Sequence, residues 1–396
     1  MPLLPGATRP RDGQPVTLGV VGGGQLGRMF AHAAQAMGFR VAVLDPDAAS
    51  PAAQVADLHI RAGYTDAQGL AELARVCDAV TTEFENVPAQ ALRELAARVR
   101  VAPQADAVAV CQHRAREKAQ FVQGGVPCAP HLYIEGEADL ARAGASLFPA
   151  ILKTATLGYD GKGQCSVSDA SALPAAWRAL AQAPCLLEQR LRLACEFSVI
   201  VARDDHGYCV HLPVQQNLHR DGILAVTRVP APDVPEAAAR EAIAHTQRLA
   251  QSLGYVGVLC VEWFALDDGR VLANEMAPRP HNSGHASLEA CDVSQFELQV
   301  RALAGLPLPE PRLRSPAVML NLLGDLWFGP AGEGAAPRTP DWAGVLALPG
   351  VHLHLYGKAE PRPGRKMGHL TVTAADATTA LATAGTVAAR LGLPSL

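Results

Sequence analysis

The sequence predicts an α/β region followed by α+β regions, and three observations lead there. The apolar run Val16–Val21, a glycine turn at Gly22-Gly23-Gly24, a helical pattern and the run Val41–Leu44 make a strand–helix–strand unit. Such a unit, about 30 residues long, implies a parallel sheet. Beyond residue 109 strands follow one another largely without alternating helices, which suits an α+β domain. The 396 residues exceed one ordinary core, so two or three domains are expected. The divisions fall at 1–14 for a loose lead-in, 15–108 for the parallel-sheet domain, 109–314 for a central domain and 315–396 for a small C-terminal α+β domain.

The elements follow in order. Leu26, Met29, Phe30, Ala33, Ala34 and Met37 recur at helical spacing, so one face of the first helix is buried. A strand at Ala79–Thr82 and a helix near Ala89–Arg98 extend the parallel sheet to about Pro103. The central region opens with a charged helix, His113–Gln123, then a strand at Ala150–Lys153 and a glycine-rich loop at Gly158–Gly163. Strands are expected at Cys185–Gln189, Glu196–Val201 and Tyr208–Pro213, then a helix at Pro235–Leu253. A hairpin at Val258–Glu275 and a helical tail to about Gly305 complete it. The last region has strands at Ala317–Leu323, Val351–Tyr356 and Leu370–Thr373 and a final helix at Ala377–Leu391. A Gly/Pro-rich stretch, 329–341, interrupts it.

Composition excludes several classes. A net charge of −4 lacks the basic excess of a polyanion binder. The nine cysteines never form C-x-x-C pairs, which suits free thiols in a reducing compartment and argues against a disulfide framework or a zinc site. No stretch approaches the ~18 apolar residues of a membrane span. No apolar segment follows the N-terminal arginines, so the cytoplasm is expected.

Gly22, Gly24 and Gly27 match G-x-G-x-x-G between a strand and a helix, and Asp45 ends the next strand. Alone this fits a dinucleotide site, another phosphate ligand, or a purely structural turn. The second glycine loop, ILKTATLGYDGKGQ (151–164), brings Lys153 on a strand and Lys162 between Gly161 and Gly163. It lacks the P-loop order, and its charges and flexible donors suit a lid over a triphosphate.

The segment VLCVEWFALDDGRVLANE (258–275) reads as a hairpin turning at Asp268-Gly269. Counting outward from a two-residue loop puts Glu262 opposite Glu275, with Cβ atoms ~5 Å apart. Like charges there need neutralising, and magnesium, which takes one or two carboxylates plus phosphate and water, is the natural candidate. Asn274 faces away on a regular strand; a bulge would bring its amide to the metal.

A strand lysine, a glycine lid and a two-glutamate hairpin ending in N-E together resemble the ATP-grasp superfamily. This implies a Rossmann-like N-terminal domain, an ATP-grasp central domain and a small C-terminal domain. Within it, GGGQLGRM (22–29), TTEFENVP (81–88), GYDGKGQ (158–164), QNLHRDGI (216–223), NEMAPRPHNSGH (274–285) and RPGRKMGHL (362–370) are similar to the 5-(carboxyamino)imidazole ribonucleotide synthases. Leu157, where glycine is common, and residues 1–14 depart from the pattern.

The resemblance implies that ATP is held by Arg114, Lys153, the loop Gly158, Tyr159, Asp160, Gly161, Lys162, Gly163 and Gln164, then Glu188, Gln189, Arg190, Leu191, Glu196 and His219, with Asn274 and Glu275 nearby. It places Mg2+, for which Mn2+ could substitute, on Glu262 and Glu275. The ribonucleotide falls to Gly24, Gln25, Leu26, Glu83, Asn86, Tyr159, Arg279, Ser283, Lys358, Arg365 and Lys366. On the same basis the first glycine turn serves the ribonucleotide phosphate, and the protein is a homodimer. Asp160, Arg279, His281, Asn282 and Lys358 form the expected catalytic set, with His285 a lesser candidate.

The implied reaction makes carboxyphosphate from ATP and bicarbonate and transfers its carboxyl to the amine of 5-aminoimidazole ribonucleotide, in de novo purine synthesis. Lys153, the lid and magnesium answer the charge spreading over the transferred phosphoryl group. Arg279 suits bicarbonate because its planar fork binds an oxyanion at two points. The rivals are a formate-dependent phosphoribosylglycinamide transformylase, a biotin carboxylase and an NAD(P) dehydrogenase. The dehydrogenase leaves the Gly158 loop and the glutamate hairpin unexplained.

Overall fold

The computed structural model describes residues 1–10, 12–156, 158, 163–328 and 336–396. The N-terminal sheet is parallel, in the order Leu58–Ile60, Arg40–Leu44, Thr17–Val21, Ala79–Thr82, Arg100–Val101. All five residues of Thr17–Val21 are buried, as expected of a central parallel strand covered on both faces. The helix Gln25–Ala36 buries Leu26, Met29, Phe30 and Ala34. Residues 1–10, expected to be loose, are tied down: Leu3 N–H donates to Ala304 O at 2.7 Å, and the buried Arg9 reaches Val76 O at 2.6 Å.

The central region contributes two antiparallel sheets. The smaller has the order His131–Ile134, Cys185–Gln189, Ala150–Thr154, Gln164–Val167. The larger, nine-stranded, runs Val271–Ala277, Gly257–Leu266, Leu193–Arg203, Gln215–Arg220, Ile223–Val229, Ala317–Leu323, Lys366–Thr373, Val351–Leu355, with Cys209–His211 beside Leu193–Arg203. The strands after residue 315 therefore continue the central sheet, through the pairing of Ala317–Leu320 with Val226–Val229. The hairpin Gln215–Arg220/Ile223–Val229 is absent from the sequence-based expectation. Its first strand reads QQNLHR, which offers no apolar alternation to detect.

One face of the large sheet packs its core on the helix Glu236–Ser252, with Phe197, Val199, Val261 and Trp263 fully buried. The opposite face carries Ser198, Glu262 and Glu275 in register across three strands. Strand alternation thus puts these polar groups on the face away from that core, next to Ile200 and Cys260 of a second buried cluster, and the site lies there. All nine cysteines are free thiols.

Candidate functional site

The glutamate hairpin forms with a different turn from the expected one. Leu266 pairs with Arg270 around a three-residue loop, and Gly269 sits at φ +86°. That is the three-residue hairpin geometry in which an αL glycine closes the loop. A bulge beside Glu262 then absorbs one residue at Asn274 and restores the Glu262–Glu275 pairing. Two departures from the simple count cancel, and the carboxylates face each other as expected. The bulge also turns Asn274 onto the same cavity as the glutamates, and its buried Oδ1 has no hydrogen-bond partner.

This cavity, about 290 Å³, is lined by Arg114, Lys153, Gln164, Glu196, His219, Asn274 and both glutamates. Burial and then the facing Glu275 charge push Glu262 up to about 7. Burial opposes the Glu275 carboxylate as well, but the Arg114 guanidinium at 2.8 Å outweighs it and holds Glu275 low. Two carboxylates with opposed tendencies and an orphaned amide oxygen form an all-oxygen donor set that fits a hard divalent cation. Among the described residues no cluster of three or more His, Cys, Asp or Glu side chains stands ready for a metal. The smaller set suits an ion that takes its other oxygens from phosphate and water.

Lys153 Nζ lies 2.6 Å from Glu188 Oε2, and the buried Lys118 lies 2.6 Å from Glu188 Oε1. Burial works against the Glu188 charge, yet the two ammonium groups prevail and hold it near 2. His219 Nδ1 is 2.9 Å from Glu196; burial lowers the imidazole, but the Glu196 bond together with the charges of Glu262, Glu196 and Glu275 raises it overall. Gln189 is turned to Ser146 O at 3.0 Å, and Arg190 and Leu191 occupy the loop that follows its strand. The Gly158 carbonyl accepts from Arg114 at 3.4 Å, while Gly163 closes the hairpin back to Thr154. Tyr159, Asp160, Gly161 and Lys162 lie outside the described residues.

A second, larger cavity of about 710 Å³ shares Glu275, His281, Asn282 and Lys366 with the first. Gln25, Leu26, Glu83, Asn86, Arg279, His285, Lys358 and Arg365 also line it. Arg279 Nε sits 2.5 Å from Glu85 Oε2; burial opposes both charges, but the pairing holds Glu85 at about 2 and raises the guanidinium further. Burial, then the Arg279 charge, keep His281 neutral. Ser283 N–H donates to His281 Nδ1, which leaves the imidazole proton on Nε2, 3.5 Å from Glu262. Ser283 is fully buried beneath that ring, and both amide atoms of Asn282 are buried without partners.

The first glycine turn has partners within the chain. Gly24 and Gly27 N–H donate to the Glu83 carboxylate at 2.9 and 3.2 Å, and Gly23 N–H donates to Asp45 at 2.7 Å. The donors expected to meet a phosphate are satisfied within the chain, and two carboxylates stand where the anion would come. Lys358, Arg365 and Lys366, cations that could receive a phosphate, line the same cavity.

Sequence reasoning missed Glu85, Glu117, Lys118 and Gln295. Gln295, fully buried, accepts from His281 N–H at 2.8 Å and donates to His281 O at 2.7 Å. Glu117 and Lys118 follow Arg114 at helical spacing in RAREK, a signal that could have been read as one functional face.

Three family models match the chain: a ribonucleotide synthetase preATP-grasp domain at residues 16–112, an ATP-grasp domain at 119–296 and a phosphoribosylaminoimidazole carboxylase C-terminal domain at 317–383. The N5-carboxyaminoimidazole ribonucleotide synthase of Brucella melitensis biotype 1 is 44% identical over 358 residues, covering 90% of this chain and 95% of that protein. Its counterpart in Bacillus subtilis strain 168 is 39% identical over 355 residues, 89% of this chain and 90% of the relative. An N5-carboxyaminoimidazole ribonucleotide synthetase solved with ADP superposes with TM-score 0.88 at 40% identity, over 98% of this chain and 97% of the other. The Aspergillus clavatus N5-carboxyaminoimidazole synthase, solved with ADP and 5-aminoimidazole ribonucleotide, gives TM-score 0.85 at 33% identity, over 96% and 99% of the two chains.

Proposed function

Since the chain belongs to the N5-carboxyaminoimidazole ribonucleotide synthase family of ATP-grasp ligases, we propose that it carboxylates 5-aminoimidazole ribonucleotide with bicarbonate at the expense of ATP, a step of purine biosynthesis. The observation that carries this reading is the junction of the two cavities, where Lys153 and the Glu262–Glu275 pair on one side meet Arg279 and Lys366 on the other. A nucleotide in the smaller cavity would present its terminal phosphate to a bicarbonate held beside Arg279. Glu262, Glu275 and the Asn274 amide would hold Mg2+, which would neutralise phosphate charge when bound.

Arg279 keeps its charge at any working pH, with Nε engaged by Glu85 and Nη1 by Pro280 O at 3.1 Å, so its remaining edge is available to an oxyanion. Bicarbonate oxygen attacks the γ-phosphorus, ADP leaves, and the amine of the ribonucleotide then takes the carboxyl group as phosphate departs. His281 Nε2–H, fixed by Ser283, is placed to donate toward oxygen near Glu262. The amine must lose a proton, and Asp160, on the segment outside the described residues, is assigned that task from its motif. Lys358, Arg365 and Lys366 take the substrate phosphate.

The division at 15–108, 109–314 and 315–396 and the remaining ATP contacts belong to the same proposal, as do a homodimeric state and a cytoplasmic location. Among the described residues no helix is long and apolar enough to cross a membrane. ADP release by purified protein with ATP, Mg2+ and bicarbonate tests the reading: it should rise sharply with 5-aminoimidazole ribonucleotide. Stimulation only by glycinamide ribonucleotide with formate would replace the substrate, and no ATP turnover with either would overturn the assignment.

A further inference from the structure

The helix Arg114–Gln123 grips three consecutive residues of the strand Val271–Ala277. Lys118 Nζ donates to Asn274 O at 2.7 Å, Arg114 Nη1 reaches Glu275 Oε2 at 2.8 Å, and Glu117 Oε1 accepts from Met276 N–H at 2.6 Å. The bulge at Asn274 needs such partners, because a bulged residue drops out of the sheet ladder and leaves its backbone groups to be satisfied elsewhere. The same helix holds the other lobe. Arg114 N–H donates to Ala155 O at 2.9 Å, and Lys118 shares Glu188 with Lys153.

Lys118 is the joint between these two sets. It is 1% exposed and borders neither cavity, so nothing in solution or in a bound nucleotide touches it. A buried ammonium is costly unless fully partnered. Here its partners are a carboxylate that also orients Lys153, on the four-stranded sheet, and a carbonyl adjoining Glu275, on the nine-stranded sheet. The two sheets supply opposite halves of one charge pattern: an ammonium that would meet phosphate oxygens and carboxylates that would hold a cation. Their spacing has to be fixed for both to meet the same nucleotide.

We propose that Lys118 is a positioning residue which sets the offset between Lys153 and Asn274–Glu275, with Glu117 locking the other side of the bulge. This rests on the nucleotide reading of the smaller cavity and adds to it a residue that acts through others. A misplacement of about 1 Å can cost on the order of 10²-fold in rate. The effect should fall chiefly on ATP and its cation, since Gln25, Leu26, Glu83, Lys358 and Arg365, which line the larger cavity, lie on other elements.

The test uses the full-length enzyme and the variants Lys118→Met and Lys118→Arg, with Michaelis constants for ATP and 5-aminoimidazole ribonucleotide and the Mg2+ concentration for half-maximal rate. Lys118→Met should lower kcat/KM for ATP on the order of 10²-fold, raise the Mg2+ requirement, and leave the ribonucleotide KM unchanged. Lys118→Arg keeps the charge but displaces the two acceptors, so a loss of about tenfold with the same selectivity is expected. If Lys118→Met does not fold, Lys118→Arg decides alone. Wild-type ATP kinetics in either folded variant, or an equal rise of both Michaelis constants, overturns the proposal. Turnover of wild-type protein with a different amine acceptor would overturn the substrate assignment instead, and the ATP-selective loss would remain measurable in that reaction.

Discussion

Glu85→Gln is the substitution whose two effects separate most clearly. The Glu85 carboxylate holds the Arg279 guanidinium through Nε at 2.5 Å, and is kept near 2 by that partner against the opposing effect of burial. An unfolded glutamate titrates near about 4.3, so the shift corresponds to about 3 kcal/mol of stability. Because the folded value is depressed, this stability is present above about pH 4.3 and fades as pH falls toward 2. The amide can still accept one hydrogen bond, which retains about 1 kcal/mol and leaves a net loss of about 2 kcal/mol at pH 7. Thermal unfolding should therefore come several degrees lower at pH 7, with the difference from wild type shrinking at acid pH.

On activity the sign is less obvious and more informative. Removing the carboxylate leaves Arg279 with less of its charge compensated, so bicarbonate should bind no more weakly than before. The guanidinium loses the charged hydrogen bond that sets its plane, at a cost of about 1–2 kcal/mol in the transition state, or about 5- to 30-fold in kcat. Steady-state kinetics with varied bicarbonate should thus show kcat reduced and KM for bicarbonate unchanged or lowered, the mark of lost orientation. A raised bicarbonate KM with unchanged kcat would refute the orienting role of Glu85, and an unchanged unfolding temperature would refute the energetic argument.

Gln295→Met removes both bonds to the His281 backbone and should lower kcat on the order of 10²-fold with the ATP KM unchanged. Side-by-side KM and kcat measurements distinguish that from general loss of fold. Glu275→Gln should raise the Mg2+ concentration for half-maximal ADP release at least about tenfold, which a metal titration at saturating ATP reads directly. Lys366→Met should raise the KM for 5-aminoimidazole ribonucleotide about 10- to 100-fold, the worth of one charged contact, while the ATP KM stays within about twofold.

Elements with a local cause were legible in the sequence. Ala317–Leu323 and Ala377–Leu391 occur with the expected bounds, because each carries a full period of apolar side chains and a clear stop. The facing of Glu262 and Glu275 was legible as well, though by a route with two compensating departures: a two-residue turn was counted where three residues turn, and no bulge was counted where one exists. Turn length and bulge position depend on tertiary partners, here Glu117 and Lys118, and so leave little local trace. The same holds for Glu85 and Gln295. Each acts on a residue far along the chain (Arg279 and His281), and a glutamate or glutamine in isolation says nothing about which backbone it will meet.

The first glycine motif shows how a glycine turn can have its cause within the chain. Glycines at such a turn allow close approach to a helix N-terminus, and a dinucleotide enzyme uses that for pyrophosphate. Here the approaching group is internal. A Cβ on Gly24 would stand 2.5 Å from Glu83 Oε1, and one on Gly22 would stand 2.5 Å from the Glu83 side chain. Close approach of the Glu83 side chain thus accounts for glycine at both positions. The helix N-terminus, with its partial positive charge, anchors that carboxylate. Anchoring Glu83 fixes the start of the loop that ends at Asn86, and with it Glu85, two residues on, against Arg279. By this chain of contacts the glycine turn holds the loop whose carboxylate faces the arginine assigned to bicarbonate.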